Sequence, residues 1–422
     1  MKRNLISYLC VLAIAVPALA GNGLVQRAAK RVDGSYIVIL DPHDAVAPAA
    51  RSRELTARFG GTASVVWDKV RGFGAKMTEG QAQALSNDPH VLFVEEDGIG
   101  SIISTTQTLD THFKQFHIDR IDQRNLPADS TFTWCQDGSG VTIYIVDSGT
   151  WGGNDDFHYY GSPYGYRVSA GADFIDSTGY AGNAANPCRK TYNESISASR
   201  HHGTIVASAA AGVNYGVAKN AAIVPVRVAD CYGQTTYNTF VSGLNWILNH
   251  GTLPGVVNIS LIFRGGQYSE ATLSSIDYTV NMLIDSGFVV VAGAGNDNNL
   301  STCCSPQRVD RVLTVGGSDY YDRRWIYSGD WHFASNWGAV DLFAPAVVSG
   351  AGIDYASQVI YNQEGTSFAG PLVAGIAAQY LQLNPTATPA TVNSWIVGNA
   401  TPNVLDPNNL MSVNLLAYSF CQ

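Results

Sequence analysis

Two rhythms of apolar and polar residues divide this chain. Between residues 34 and 97, short β-branched and aromatic runs alternate with segments of helical period. Gly34-Ser-Tyr-Ile-Val-Ile-Leu reads as a strand, 46–59 as a helix, and 62–67 and 72–77 as two further strands. Thr78 stands where a helix N-cap belongs, ahead of Glu-Gly-Gln-Ala-Gln-Ala-Leu, and Val91-Leu-Phe-Val-Glu-Glu closes the unit as a strand. The predicted order is β-α-β-β-α-β, a small α+β unit of ferredoxin-like form. A polar, Ser/Thr-rich stretch over 101–108 follows and reads as an exposed linker.

Beyond it the rhythm changes. Apolar runs at 141–146, 222–228, 256–260, 288–292 and 312–315 are separated by small-residue helical segments at 204–211, 236–249 and 270–286, with another after Ser367. Strands that are apolar without alternation, and that alternate with helices, predict an α/β architecture: a predominantly parallel sheet flanked by helices. In such sheets, sites form where strands end and helices begin.

The first residues carry a third pattern. Lys2 and Arg3 precede an apolar run over 5–16 that ends in Pro17-Ala-Leu-Ala20, the positive, apolar and small-residue order of a secretory signal peptide. The run falls short of the ~20 apolar residues that span a bilayer, and no later stretch reaches that length. The mature protein is therefore expected to be secreted and extracellular, with no membrane attachment after signal removal.

Composition changes this picture only at the margins. With 422 residues, 46% hydrophobic and 14% charged, the chain is too apolar for disorder and long enough for two or three units. Residues 21–104 carry 9 Lys+Arg and 10 Asp+Glu, a net of -1, whereas 105–422 carry 14 and 24, a net of -10. An acidic larger part argues against nucleic acid as a partner. Removing Cys10 with the signal leaves six of the seven cysteines: Cys135, Cys188, Cys231, Cys303, Cys304 and Cys421. An even number in an exported chain suggests disulfides, whose pairing the sequence leaves open.

Three segments set a reactive side chain at a strand or helix end. Asp147 follows the run 141–146 and precedes Ser148-Gly149. His202 in His201-His202-Gly-Thr is expected to begin a helix of small residues, with His201 as its competitor. Ser367 in Gly365-Thr-Ser367 opens another helix, where exposed N–H groups can face a developing anion. Acyl transfer by serine needs a base for its proton and a carboxylate to orient that base. A fourth segment, ending in Gly295-Asn296, offers an amide N–H for the oxyanion. The order Asp, His, Asn, Ser matches that known for subtilisin.

On these segments the chain resembles the subtilisin superfamily, and within it the proteinase K-like and aqualysin-like secreted serine proteases. Phe116-His-Ile-Asp-Arg-Ile-Asp-Gln-Arg, Tyr215-Gly-Val-Ala-Lys and Ser318-Asp-Tyr-Tyr-Asp-Arg-Arg carry the likeness further, and 34–97 resembles the inhibitory propeptide of the same family. The resemblance implies Ser367 as nucleophile, His202 as base and then acid, Asp147 as its orienting carboxylate and Asn296 as oxyanion donor. It implies binding of protein or peptide substrates as an extended strand against two edges. One is Gly233, Gln234 and Thr235 with Tyr237 nearby; the other is Ser260, Leu261 and Ile262 with Phe263. Ile262 and Phe263 depart from the family's usual glycines at those positions. Ile205, Phe368 and Gly370-Pro371-Leu372 also depart from the family pattern. The resemblance further implies a structural calcium at Asp310, Val312 and Asp341, and a disulfide between Cys188 and Cys231.

The organisation expected is a signal peptide over 1–20, an inhibitory and chaperone propeptide over 21–104, and a catalytic domain over 105–422. The chain would be a monomeric, self-processing zymogen whose own propeptide inhibits it until it is cut between about Ile99 and Gln107. The rival reading is a secreted pseudoprotease that binds proteins without cutting them. A serine esterase of the α/β-hydrolase type is disfavoured, because no G-x-S-x-G occurs and that fold orders its triad Ser, Asp, His.

Overall fold

The structure is a computed structural model that describes residues 23–102, 105–106, 115–159, 161–162, 165–175, 188, 197–264, 274–327 and 330–419. The expected signal peptide, Cys421 and part of the 101–108 stretch lie outside them.

The predicted small unit forms as β-α-β-β-α-β from Arg31–Leu40 to Val91–Ile102. Its second helix, Glu79–Leu85, starts at a full capping box: Thr78 accepts from the Gln81 amide, and Gln81 returns a bond to the Thr78 backbone. Strand Arg31–Leu40 pairs antiparallel with both Gly72–Lys76 and Val91–Ile102. Val38, Leu55, Phe73, Leu85 and Val94 fill the space between this sheet and its helices.

The larger part is built on a nine-stranded sheet in which all but one pairing is parallel. Its central order is Leu342–Pro345, Leu313–Ser318, Val289–Gly293, Gly255–Ile259, Thr142–Asp147, Ala222–Arg227. The chain leaves Thr142–Asp147 for the neighbour on one side, Ala222–Arg227, and then returns to the other side at Gly255–Ile259. That reversal is a topological switch, and a crevice opens at the carboxyl ends of the two strands flanking it. Helices Ser197–Ala211 and Thr366–Leu383 share one core with the sheet through Ile205, Val206, Phe368, Leu372 and Val373.

Helices Tyr237–His250 and Ser275–Asp285 lie in a second core, which several residues of the small unit join. Ile37, Ile39, Trp67 and Phe93 pack with Phe240, Leu244, Ile276 and Leu283. Two carboxylates of the small unit meet the N-termini of these helices: Glu95 Oε2 accepts from the Ser275 amide at 2.8 Å, and Asp97 Oδ1 from the Asn238 amide at 2.9 Å. Helix N-termini carry unsatisfied N–H groups that a carboxyl oxygen can satisfy; the bonds only partly offset burial, which raises the pKa of both acids.

One expectation is overturned. Where it is described, the stretch 101–108 is paired strand rather than linker. Strand Val91–Ile102 continues through 101–102, and Thr105–Thr106 pairs with Val359–Glu364. Strand pairing uses backbone groups, so a polar stretch joins a sheet edge without an apolar face to announce it.

Candidate active site

Asp147 is the last residue of the strand at the switch point, and both its side chain and that of His202 are fully buried. His202 Nδ1 lies 2.8 Å from Asp147 Oδ1 and 3.0 Å from Oδ2. The Ser148 amide donates to the same Oδ1 at 2.6 Å and so gives the carboxylate a second anchor. His202 does not begin its helix as expected, since that helix runs from Ser197 to Ala211. Residues 197–202 are Ser-Ala-Ser-Arg-His-His, which carry no apolar stripe, so periodicity finds only the later turns. The next residue must be small: a Cβ on Gly203 would stand 2.9 Å from Asp147 Oδ1 and would overlap the Gly149 carbonyl oxygen.

His201 is committed elsewhere. Its Nδ1 accepts from the Ile353 amide at 3.3 Å, and burial, with the Arg200 charge adding to it, lowers its pKa to about 4. Its Nε2 lies 4.0 Å from Asp354 Oδ2, which leaves His202, hydrogen-bonded to Asp147, as the imidazole of the site.

Ser367 is the second residue of helix Thr366–Leu383, whose N-cap Gly365 has φ 134°. A positive φ of this kind is open to glycine and strained for other residues. Ser367 Oγ is buried and has no hydrogen-bond partner among the described residues. The Ser367 carbonyl accepts from Ser260 Oγ at 2.8 Å, and Ser260 Oγ accepts from Asn258 Nδ2 at 3.0 Å. The ring of Phe368 lies 5.3 Å from that of His202, which brings the histidine helix against the start of the serine helix.

Asn296, beyond the end of strand Val289–Gly293, reaches the same helix start. Its Oδ1 accepts from both the amide and the Oγ1 of Thr366, each at 3.0 Å. With the oxygen held, Nδ2 is the donor end of the amide.

Strand Val91–Ile102 runs past these groups as the middle of three antiparallel strands. Gln234, Thr235 and Thr236 pair with Ser101, Gly100 and Ile99 on one side; Leu261 and Ile262 pair with Ile102 and Ser101 on the other. Gly233 closes the turn before the first edge with φ 78°, its amide donating to the Asp230 carbonyl. Tyr237 starts the helix that follows. Ile262 is buried with Cys303 and Cys304, and its Cδ1 would lie 2.8 Å from a Cβ on Gly295, so it occupies the space between the second edge and the Asn296 loop. The cleft is filled by the chain itself. A cavity of about 590 Å³ lies elsewhere, lined by Leu253, Asp285, Arg311, Thr388 and Asn393, and holds none of these groups.

Two residues of the site were not singled out from the sequence. Thr366 holds Asn296 and also accepts from the Gly295 amide at 3.0 Å; its place beside the nucleophile was the available signal. Gln307 Nε2 donates to the carbonyls of Leu261 at 3.0 Å and Gly293 at 2.7 Å, tying the second edge to the central sheet. No sequence signal marks it.

The metal candidates are partly assembled. Asp341 Oδ2 accepts from the Thr314 amide at 2.7 Å, and burial, with the negative charge of Asp310 adding to it, raises Asp341 to about 6. The charges of Asp310 and Asp341 are near enough to couple, and Val312 is buried; carboxylate oxygens are the ligand type calcium takes. Among the described residues no group of three or more His, Cys, Asp or Glu is placed to hold a metal. Cys188 and Cys231 form a disulfide, and so do the adjacent Cys303 and Cys304, a pairing the sequence had left open.

Comparison with known proteins agrees with the resemblance read from the motifs. Residues 138–414 match the model of the subtilase family. The chain is 34% identical over 351 residues to an extracellular serine proteinase of Thermus sp. (strain Rt41A), covering 83% of this chain and 76% of that one. It is 36% identical over 361 residues to alkaline serine exoprotease A of Vibrio alginolyticus, covering 84% and 60%. Among solved structures, a cold-adapted subtilisin-like serine proteinase matches with a TM-score of 0.60 at 35% identity, over 73% of this chain and 99% of that one. Fervidolysin from Fervidobacterium pennivorans, described as a keratinolytic enzyme related to subtilisin, matches in fold with a TM-score of 0.66 at 17% identity, over 94% and 62%.

Proposed function

This chain belongs to the subtilase family and is a serine endopeptidase of the subtilisin kind; from that premise we propose that it cuts peptide bonds through Asp147, His202 and Ser367, with Asn296 in the oxyanion hole. The observation that carries the proposal is the convergence at one sheet end of the buried Asp147–His202 pair, the buried Ser367 Oγ and the Thr366-held Asn296.

In the proposed cycle, Ser367 Oγ bonds to the scissile carbonyl carbon while its proton passes to neutral His202. Asp147 holds the imidazole by its Nδ1–H and stabilises the cation that forms. The carbonyl oxygen gains negative charge opposite Asn296 Nδ2 and the N–H groups at the start of the serine helix. The C–N bond then breaks, and His202 returns the proton to the leaving amine. Water then adds to the acyl carbon while His202 takes its proton; the Oγ–C bond breaks, His202 returns that proton to Ser367 Oγ, and the acyl group leaves as a carboxylic acid.

The substrate would lie as an added strand between the Gln234–Thr236 and Leu261–Arg264 edges, a mode in which backbone bonds supply affinity. In the precursor, residues 99–102 lie in that place and Thr105–Thr106 pairs beside Gln363 and Glu364, just before Ser367. We read this as an inhibitory propeptide over 21–104, laid across the site as a substrate and cut between Ile102 and Thr105. Secretion behind a signal over 1–20, a monomeric state and a structural calcium at Asp310, Val312 and Asp341 complete the proposal; bound calcium would neutralise two carboxylates that otherwise repel.

The test is expression of wild-type and Ser367→Ala precursors. The wild type should process itself and hydrolyse casein, and Ser367→Ala should stay full length and inactive. A Ser367→Ala protein that still matures and digests casein in pure form would overturn the assignment.

A further inference from the structure

Two glycines of the strand lying in the cleft face a wall of aromatic rings. Side chains of a strand alternate between its faces, so Gly98 and Gly100 point the same way. Neither has the positive φ that demands glycine, so the backbone would accept other residues at both positions. The space would not. A Cβ on Gly100 would overlap Cε1 of Phe263 and stand 2.5 Å from Cδ1 and 2.9 Å from Cζ; one on Gly98 would overlap the Tyr237 ring, 2.7 Å from Cδ1.

The rings have little room to retreat. Phe263 is 1% exposed and is wedged between Tyr237, edge-on at 5.2 Å, and Phe240 at 4.6 Å. All three belong to the core that also holds Leu244 and Ile276. The three rings, Leu244 and Ile276 all lie in the larger part and remain when the small unit leaves, so displacing Phe263 means overpacking that remaining core.

We propose that Phe263 is a specificity-determining residue, and that it selects peptide substrates with glycine at the position opposite Thr235, the position Gly100 takes in the precursor. This rests on the reading that substrates bind where residues 99–102 lie. The segment Gly98-Ile99-Gly100 then satisfies the enzyme's own requirement. The preferred substrates are chains that offer glycine upstream of the cut, where an aromatic or branched residue would collide with the Phe263 ring.

Fluorogenic peptides patterned on residues 97–106, with Gly, Ala or Phe at the position of Gly100, test the idea on the matured enzyme. The overpacking cost of a methyl group or larger predicts a fall in kcat/KM of about 10- to 100-fold from Gly to Ala, and more for Phe. Phe263→Ala should narrow the gap between the three peptides. Equal cleavage of all three by the wild type would overturn the Phe263 proposal and leave the protease reading intact. Cleavage of none of them, nor of casein, would overturn the protease reading itself. The wild-type series decides the matter even if Phe263→Ala fails to fold.

Discussion

Thr366 holds Asn296 at two points, its amide and its hydroxyl both donating at 3.0 Å to the same side-chain oxygen. The amide of Asn296 is thereby oriented by the residue that precedes the nucleophile, and the same Thr366 Oγ1 also accepts from the Gly295 amide. If Asn296 is the oxyanion donor, Asn296→Ala should lower kcat by about 100- to 1,000-fold, the size of the effect in subtilisin itself. Thr366→Val keeps the backbone bond and removes the hydroxyl. It should lower kcat by roughly 10-fold, the worth of about one hydrogen bond, with KM little changed. Steady-state kinetics on one peptide substrate separate the two parameters.

Gly203 sets the distance between the histidine helix and the Asp147 loop. In Gly203→Ala the new methyl would meet Asp147 Oδ1 and the Gly149 carbonyl, pushing the carboxylate away from His202. Overpacking of this kind costs about 1–3 kcal/mol. The expected outcome is a loss of activity out of proportion to the fall in Tm, read by pairing kcat/KM with thermal melts.

Glu95 should make the grip of the small unit depend on pH. Burial, opposed by its bonds to Ser275 and reinforced by Asp277 against the partial relief of Arg308, raises Glu95 to about 7. In the released unit the carboxyl returns to an ordinary value near ~4.3. The bound form therefore holds the extra proton. Its contribution to binding is fully present below the free value and is lost as pH rises through about 7. Affinity of the separate 21–104 segment for matured Ser367→Ala enzyme should weaken by up to about 100-fold between pH 5 and 8, and Glu95→Gln should flatten that slope. Inhibition that tightens with rising pH would contradict the burial argument.

Calcium should stabilise the catalytic part through Asp341 and Asp310. Chelation is expected to lower Tm by about 2–4 °C for each kcal/mol of binding lost. In Asp341→Asn, which retains an acceptor for the Thr314 amide, chelation should change Tm little. Calorimetric titration of the chelated protein with calcium supplies the direct readout.

Much of the fold and the chemistry was written in local pattern. The strand runs, the capping box at Thr78 and the placement of Asp147, Asn296 and Ser367 at element ends follow from short-range periodicity and turn chemistry, which neighbouring residues determine. The histidine helix was foreseen only from its apolar turns, because 197–202 has no stripe to bury. The reading of 101–108 as an exposed linker failed for a related reason, since its partners are backbone edges at 234–236, 261–262 and 363–364. Composition carries no trace of such partners.

By itself, then, the sequence determined which reactive residue types the chain has and which elements carry them. Only the tertiary structure decided which groups meet: the His202 ring on the Asp147 carboxylate, Thr366 on Asn296, Phe263 against Gly100. Each of these joins positions from 55 to 163 residues apart or depends on a ring wedged among distant neighbours, and such contacts exist only once the parallel sheet and its helices have closed.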